Sequence, residues 1–179
     1  MESQAVLDFW FTESMPKQWF AKDESFDQKI CERFALLHRQ VSQGEKAFWR
    51  ETIQGRLAEI LVLDQFSRNL FREDPRAFAY DGMALVLAQE AIVKEELIEL
   101  TIEERSFVYM PFMHSESLAI HDQAMILFSE TGMENSLDFE KRHRDIIERF
   151  GRYPHRNAVL NRPSTQEELS FLKEPNSSF

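Results

Sequence analysis

Residues 24–44 read ESFDQKICERFALLHRQVSQG, and this stretch sets the fold class. Phe26, Ile30, Phe34, Leu37 and Val41 follow one another at steps of three or four. That period gathers side chains on one face of an α-helix, whereas a half-buried strand would alternate every second residue. Gly44 ends the segment, because glycine takes the left-handed conformation on which helices close. Cys31 lies among Ile30, Phe34 and Leu37 and is expected to be a small core residue. It is the only cysteine, so no disulfide forms within the chain and a thiolate zinc site would need other ligands.

The same period extends in both directions. Val6, Leu7, Trp10 and Phe11 form an apolar face on a first helix from about Ser3. After Gly44, a helix is expected from about Lys46 to Leu70, with Leu57, Ile60, Leu61, Asp64 and Arg68 along one face. Asp74-Pro75 reads as the start of a helix running to about Lys94, with proline at its first position. Thr101 and Glu104 form a capping box, and the helix they open is expected to break or kink at Pro111. Further helices are expected from about His114 to Ser129, from an Asp138 cap to Gly151, and after a Ser164 or Thr165 cap. No strand pattern, internal repeat or linker appears. The chain reads as one all-α domain over residues 1–173 with a loose tail at 174–179.

Composition agrees with this. At 179 residues, with 16 phenylalanines and five glycines, a single domain buries roughly 70% of its unfolded surface. The net charge of −10 argues against nucleic acid or anionic membrane as a partner. No run of about 18 apolar residues is present, and the N-terminus lacks the basic and apolar regions of a signal peptide. The expected location is the cytoplasm. Charge is uneven, however: residues 141–162 hold seven Lys and Arg against two Asp and Glu.

Several polar residues interrupt the apolar faces. Asp64 and Arg68 stand four apart on one helix face, where a salt bridge would lock helices in register. Asn69 and Arg72 extend that polar run. His143 lies on an apolar face, where a hydrogen-bonded core role outweighs a ligand role. Glu140 and His143 have the Glu-x-x-His spacing of di-iron bundles, but those need two such motifs and the chain has one. No metal or cofactor is expected. His114, Ser115 and Glu116 suit helix capping, or base and acid roles if His114 lies in the turn before a helix. Arg149, Arg152, His155, Arg156 and Arg162 fall within residues 149–162. Forked guanidinium donors suit a carboxylate or phosphate ligand and ion pairs to the acidic body equally well. Phosphate-loop, dinucleotide, zinc-protease and nucleophile-elbow signatures are absent.

Four segments together resemble a known family. They are residues 6–11 (VLDFWF), 63–69 (LDQFSRN), 109–116 (YMPFMHSE) and 149–157 (RFGRYPHRN), with Ser164-Thr165 and Glu167-Glu168 after them. In order and over residues 5–172, they resemble the bacterial family called domain of unknown function 924. The resemblance implies an all-α fold of the tetratricopeptide-like superfamily, with stacked antiparallel helix pairs, and it implies no activity. Its motifs match Asp64, Gln65, Arg68 and Asn69; then His114, Ser115 and Glu116; then Arg149, His155, Arg156 and Asn157. Ser67 stands where the family often has proline, and Asn161 where it often has glycine.

Three readings remain open at this stage. In the first, a groove lined by Arg68, Arg149, His155 and Arg156, oriented by Asp64 and Glu116, binds a small anion or peptide carboxylate. In the second, an enzyme uses His114 or His155 as base with Glu116 or Asp64 as acid or orienter. In the third, the polar residues form a buried structural network and an exposed surface meets a protein partner. The chain is expected to be a monomer or homodimer.

Overall fold

The structure, a computed structural model, describes residues 2–178, and every regular element among them is helical. Helix α1 (Glu2–Leu7) runs into a π-helical turn at Asp8–Glu13, and a short α2 (Pro16–Trp19) follows. Next come α3 (Glu24–Ser42), a 3-10 turn (Ala47–Glu51) and α4 (Ile53–Leu61). A second π-helical turn (Val62–Phe66) joins α4 to α5 (Ser67–Leu70). A 3-10 turn at Pro75–Ala77 precedes α6 (Asp81–Ile92), and another at Glu95–Glu99 precedes α7 (Ile102–Met113). The chain closes with α8 (Leu118–Leu127), α9 (Glu134–Phe150), a 3-10 turn (Pro154–Arg156) and α10 (Gln166–Phe171). No helix among the described residues is long and apolar enough to cross a membrane.

Local chemistry fixes most helix ends. The Asp23 carboxylate accepts from the backbone N–H groups of Ser25 and Phe26 and starts α3. Thr52 caps α4 through the Gly55 N–H. Thr101 with Glu104, and Thr165 with Glu168, form reciprocal capping boxes on α7 and α10, which satisfies amide donors that a helix leaves open at its start. Gly151 closes α9 in the left-handed region, with φ 68°.

Several boundaries depart from the sequence expectation. Residues 47–51 form a tight 3-10 turn, so α4 begins only after Thr52. Pro75 opens a single 3-10 turn, and the helix expected there begins at Asp81. Pro111 lies inside α7, whose helix continues to Met113. His114 follows the end of α7, and the next helix starts at Leu118. Asp138 is an exposed residue within α9, which starts four residues earlier at Glu134. Cys31 is exposed: Ile30, Phe34, Leu37 and Val41 turn inward, and the next position after Ile30 points about 100° round the helix. In the expected tail, Ser177 is buried and its hydroxyl donates to the Leu172 carbonyl; Phe179 lies outside the described residues.

Helix α4 is the axis of the fold. Leu57, Ala58, Ile60 and Leu61, and Val62 and Leu63 after them, are fully buried, and α4 packs against α1, α6 and α7. Burying each large apolar side chain contributes about 1.5–3 kcal/mol, so this segment outweighs any single pair of helices. Its one buried acid, Glu59, is held by an Arg50 fork at 2.7 and 2.6 Å. An aromatic cluster closes the end near α1: Trp10 meets Trp19, Phe26, Phe66 and Phe107 with ring centroids 5.6–6.0 Å apart. A smaller second core of Ile146, Ile147, Tyr153 and Phe171 lies between α9 and α10.

The 3-10 turn before α4 presses directly on it. A β-carbon added at Gly55 would lie 2.0 Å from the Trp49 carbonyl oxygen, and that oxygen is backbone. Gly55→Ala is therefore expected to lower stability by about 1–3 kcal/mol, the usual cost of overpacking, measured by urea denaturation. A variant as stable as the native protein would show that the 47–51 turn moves freely.

Candidate functional site

A cleft of about 330 Å³ opens where the two cores meet, lined by Pro75, Phe78, Asp81, His114, Glu116 and Arg156 among others. Each polar residue there arrives from a chain feature with its own physical cause. The π-helical turn buries all five of its residues, Asp64 among them; such turns widen a helix locally and are frequent at functional sites. Arg68 follows four residues on, in α5. Asp81 is the first residue of α6, where the helix dipole favours an acid. His114, Ser115 and Glu116 form the link between α7 and α8, so they need not share a helix face to share a cleft.

The charges are paired tightly. Arg68 forks onto Asp81 with two bonds of 3.0 Å and donates to the Asp64 carbonyl at 2.7 Å. Its approach to the Asp64 carboxylate, the pair expected from the sequence, is longer at 3.4 Å. Arg156 donates to the same Asp81 at 3.3 Å and to the His114 carbonyl at 3.1 Å. Its guanidinium lies between the rings of Phe78 and Tyr153, 4.5 and 4.6 Å from their centroids. Its Nε is buried and has no hydrogen-bond partner among the described residues. Asp64, fully buried, accepts from Gln65 Nε2 at 2.6 Å and from His114 Nδ1 at 2.6 Å. Glu116 accepts a fork from Arg162 at 2.7 and 2.9 Å and the Tyr153 N–H at 2.8 Å. Asn157 braces that fork by accepting from Arg162 Nε at 3.0 Å.

Other candidates lie apart. Asn69 donates to Asp27, which also takes the Arg72 guanidinium, on the α3 side of the molecule. Arg149 is exposed, pairs with Glu167 at 2.9 Å and covers the rings of Phe150 and Phe171. Arg152 forks onto Glu168. His155 stacks near Tyr153, with ring centroids 5.5 Å apart. His143 donates from Nδ1 to the Phe139 carbonyl at 2.7 Å. Phe139, one turn before His143, is half exposed. Sequence reasoning missed Asp81, the acid that both cleft arginines share. The one signal for it was an aspartate in a helix's first turn, hidden because that helix was expected to begin at Pro75. Tyr153 and Phe78, which hold Arg156 flat, gave no signal as aromatic partners.

The protonation states follow from these contacts. Burial opposes ionisation of Asp64, but His114, Arg68 and Gln65 outweigh it and hold the carboxyl below the usual carboxylate range. Burial, and then Arg68, push His114 down against the pull of Asp64. The ring is therefore neutral at pH 7. An ionised carboxylate only accepts, so Nδ1 carries the proton and Nε2 the lone pair. Burial likewise pushes Arg156 down, with Arg68 adding to it and Asp81 opposing. Behind the cleft, His121 is fully buried, with Nδ1 2.6 Å from Glu140 and Nε2 2.8 Å from the Ser115 carbonyl. No cluster of three or more His, Cys, Asp or Glu residues among those described is placed to hold a metal ion.

Comparison with known proteins places this arrangement in context. The family described as bacterial protein of unknown function (DUF924) matches residues 6–176. A solved structure of a protein of unknown function from Agrobacterium tumefaciens is similar to this chain over 96% of its length and 97% of its own, with 38% identity and a TM-score of 0.91. No curated protein matches the chain.

Two outcomes follow from the geometry. Asp81→Ala leaves two guanidiniums partly buried without their shared acid, and is expected to cost about 3–5 kcal/mol, read from the shift in urea midpoint. A loss under 1 kcal/mol would mean that Arg68 and Arg156 find water instead. The second concerns pH. Burial holds His38 and His155 at about 4 and His143 at about 3, all below the unfolded value near 6.5. Between those limits the unfolded chain binds more protons, so their stabilisation is complete above about pH 6.5 and is lost as pH falls towards 4. His114, also pushed down, acts with them; Glu140, pushed up by burial, runs the other way, one group against four. The melting temperature is expected to fall from pH 7 to pH 5; a flat or rising profile would contradict neutral burial of these rings.

Proposed function

We propose a function from the geometry of a chain that belongs to the bacterial DUF924 family: it is a cytoplasmic, tetratricopeptide-like binding module whose cleft holds a small molecule by a carboxylate or phosphate set against Arg156. The observation that carries this reading is the state of that guanidinium. It is buried and stacked flat between Phe78 and Tyr153, and it spends two donors on protein. A guanidinium has five N–H donors. An anion in the cleft would take the N–H left on each terminal nitrogen and offset the burial that now lowers the Arg156 pKa.

The other arginines support the choice by elimination. Arg68, Arg149, Arg152 and Arg162 each pair with a carboxylate at 2.7–3.0 Å, on Asp81, Glu167, Glu168 and Glu116 respectively, whereas Arg156 reaches Asp81 only at 3.3 Å. They serve the structural role that guanidinium forks fill as readily as ligand binding. The cleft volume of about 330 Å³ lies at the lower end of small-molecule sites. Its apolar walls, Pro75, Phe78, Leu85, Pro111 and Leu160, suit a ligand with a short carbon body. A purely structural network accounts for the Arg68–Asp81 fork but leaves the unspent donors of Arg156 beside an open cleft.

Calorimetric titration with pyruvate, 2-oxoglutarate, succinate and glycerol phosphate tests the reading. Saturable binding of at least one is expected. Arg156→Lys keeps the charge but loses the fork and the flat stack, so it is expected to weaken that binding by at least about tenfold, or 1.4 kcal/mol, with helical circular dichroism unchanged. Absence of saturable binding, or unaltered affinity in the lysine variant, would remove Arg156 as an anion anchor.

A further inference from the structure

The molecule contains two buried carboxylate–histidine pairs, and they end differently. In the first, His121 has both ring nitrogens engaged, Nδ1 with Glu140 and Nε2 with the Ser115 carbonyl, and the ring is wholly enclosed. That is a closed structural pair. In the second, His114 gives Nδ1–H to Asp64, and no described residue takes its Nε2. The His114 side chain keeps 14% of its surface and lines the cleft. Asp64 is oriented in its turn by Gln65 and Arg68, which fixes the ring through the carboxylate.

We propose that the cleft is a proton-transfer site for a 2-oxo acid, with His114 Nε2 as the general base and Asp64 as its positioning residue. The proposal rests on Arg156 as the anion anchor and adds chemistry to it. Anchor and base are joined directly, since Arg156 donates to the His114 carbonyl at 3.1 Å. A carboxylate takes two parallel N–H donors from a guanidinium, and one N–H on each terminal nitrogen of Arg156 is unspent. A neutral imidazole base can take a proton from a carbon beside a carbonyl, and in a 2-oxo acid that carbonyl adjoins the carboxylate the anchor would hold.

The step balances without any co-reactant. The C3–H bond breaks and its proton passes to Nε2 of neutral His114. The C–H electron pair forms the C2–C3 double bond, and the carbonyl π pair moves onto oxygen, giving an enolate beside Arg156. Asp64 holds the imidazolium that forms, as a buried carboxylate does for a histidine base. Return of a proton from Nε2 to C3 completes the exchange, and in heavy water a deuteron returns instead.

The test is hydrogen exchange at C3 of pyruvate, 2-oxobutyrate and 2-oxoglutarate in heavy water, followed by proton NMR with the native protein. For one that binds, exchange is expected to run roughly a hundredfold or more above buffer, the usual reach of a positioned base. His114→Gln is expected to fall to the buffer rate while calorimetric affinity persists. Asp64→Asn is expected to lower the saturated rate with little change in the concentration giving half of it, a split that mere loosening of the fold would not produce. If a 2-oxo acid saturates the native site without faster exchange, or if His114→Gln exchanges like native, proton transfer is overturned and the anchor stands. If glycerol phosphate binds and no 2-oxo acid does, proton transfer is again overturned alone. If no anion binds, both readings fall together.

Discussion

The Asp81 carboxylate is shared by two guanidiniums, and the shape of the molecule turns on that sharing. Arg68 belongs to the segment that continues α4, the buried axis of the larger core. Arg156 belongs to the turn after α9, on the side of the smaller core. One acid at the start of α6 meets both. Arg68 also reaches the ionised Asp64 carboxylate at 3.4 Å, so two cations meet two anions in a place with little water, where interactions between charges are strong. That shared, buried pairing is what makes the cleft chemically distinct from the many ordinary ion pairs elsewhere on the surface.

Two aromatic rings limit how Arg156 can act. The rings of Phe78 and Tyr153 lie 4.5 and 4.6 Å from the Arg156 guanidinium carbon, close enough for cation–π attraction. Tyr153 is itself fixed, because its hydroxyl donates to the Met113 carbonyl at 2.5 Å. The π-helical turn acts in the same way behind His114. It buries Asp64 on a helix that is otherwise apolar, and the carboxylate then settles the orientation of His114. Position is thus transmitted from packed elements to two side chains at the cleft, without flexible loops in between.

How much of this was legible in the sequence depended on the range of the signal. The α3 face could be read because apolar spacing is a local property, and the Thr101 and Thr165 caps because a capping box spans four residues. The 3-10 turns at 47–51 and 75–77 were read as helix, since their composition does not differ from that of a helical turn. Pro111 was read as a break, yet α7 continues through it to Met113. Among the site residues, His114, Glu116 and Arg156 stood out as polar residues in a motif, and the fold brings them to one cleft. Asn69 and Arg149 stood out in the same way and lie elsewhere. The difference lies in partners distant along the chain, such as Asp27 for Asn69, which spacing alone does not disclose. Asp81 is the reverse case: unremarkable locally, and decisive because residues 13 and 75 positions away converge on it.

That last separation has a consequence for biosynthesis. The chain leaves the ribosome from its N-terminal end, and contacts form only once both members have emerged. Helices α1 to α7, with the aromatic cluster and the α4 axis, are complete by Met113. The cleft gains Arg156, and Glu116 gains its Arg162 clamp, only much later in translation. A nascent chain therefore carries a nearly finished main core while the wall that bears the anchor is still missing. Whatever the cleft does begins with the final stage of synthesis, and a partly made chain has the scaffold without the site.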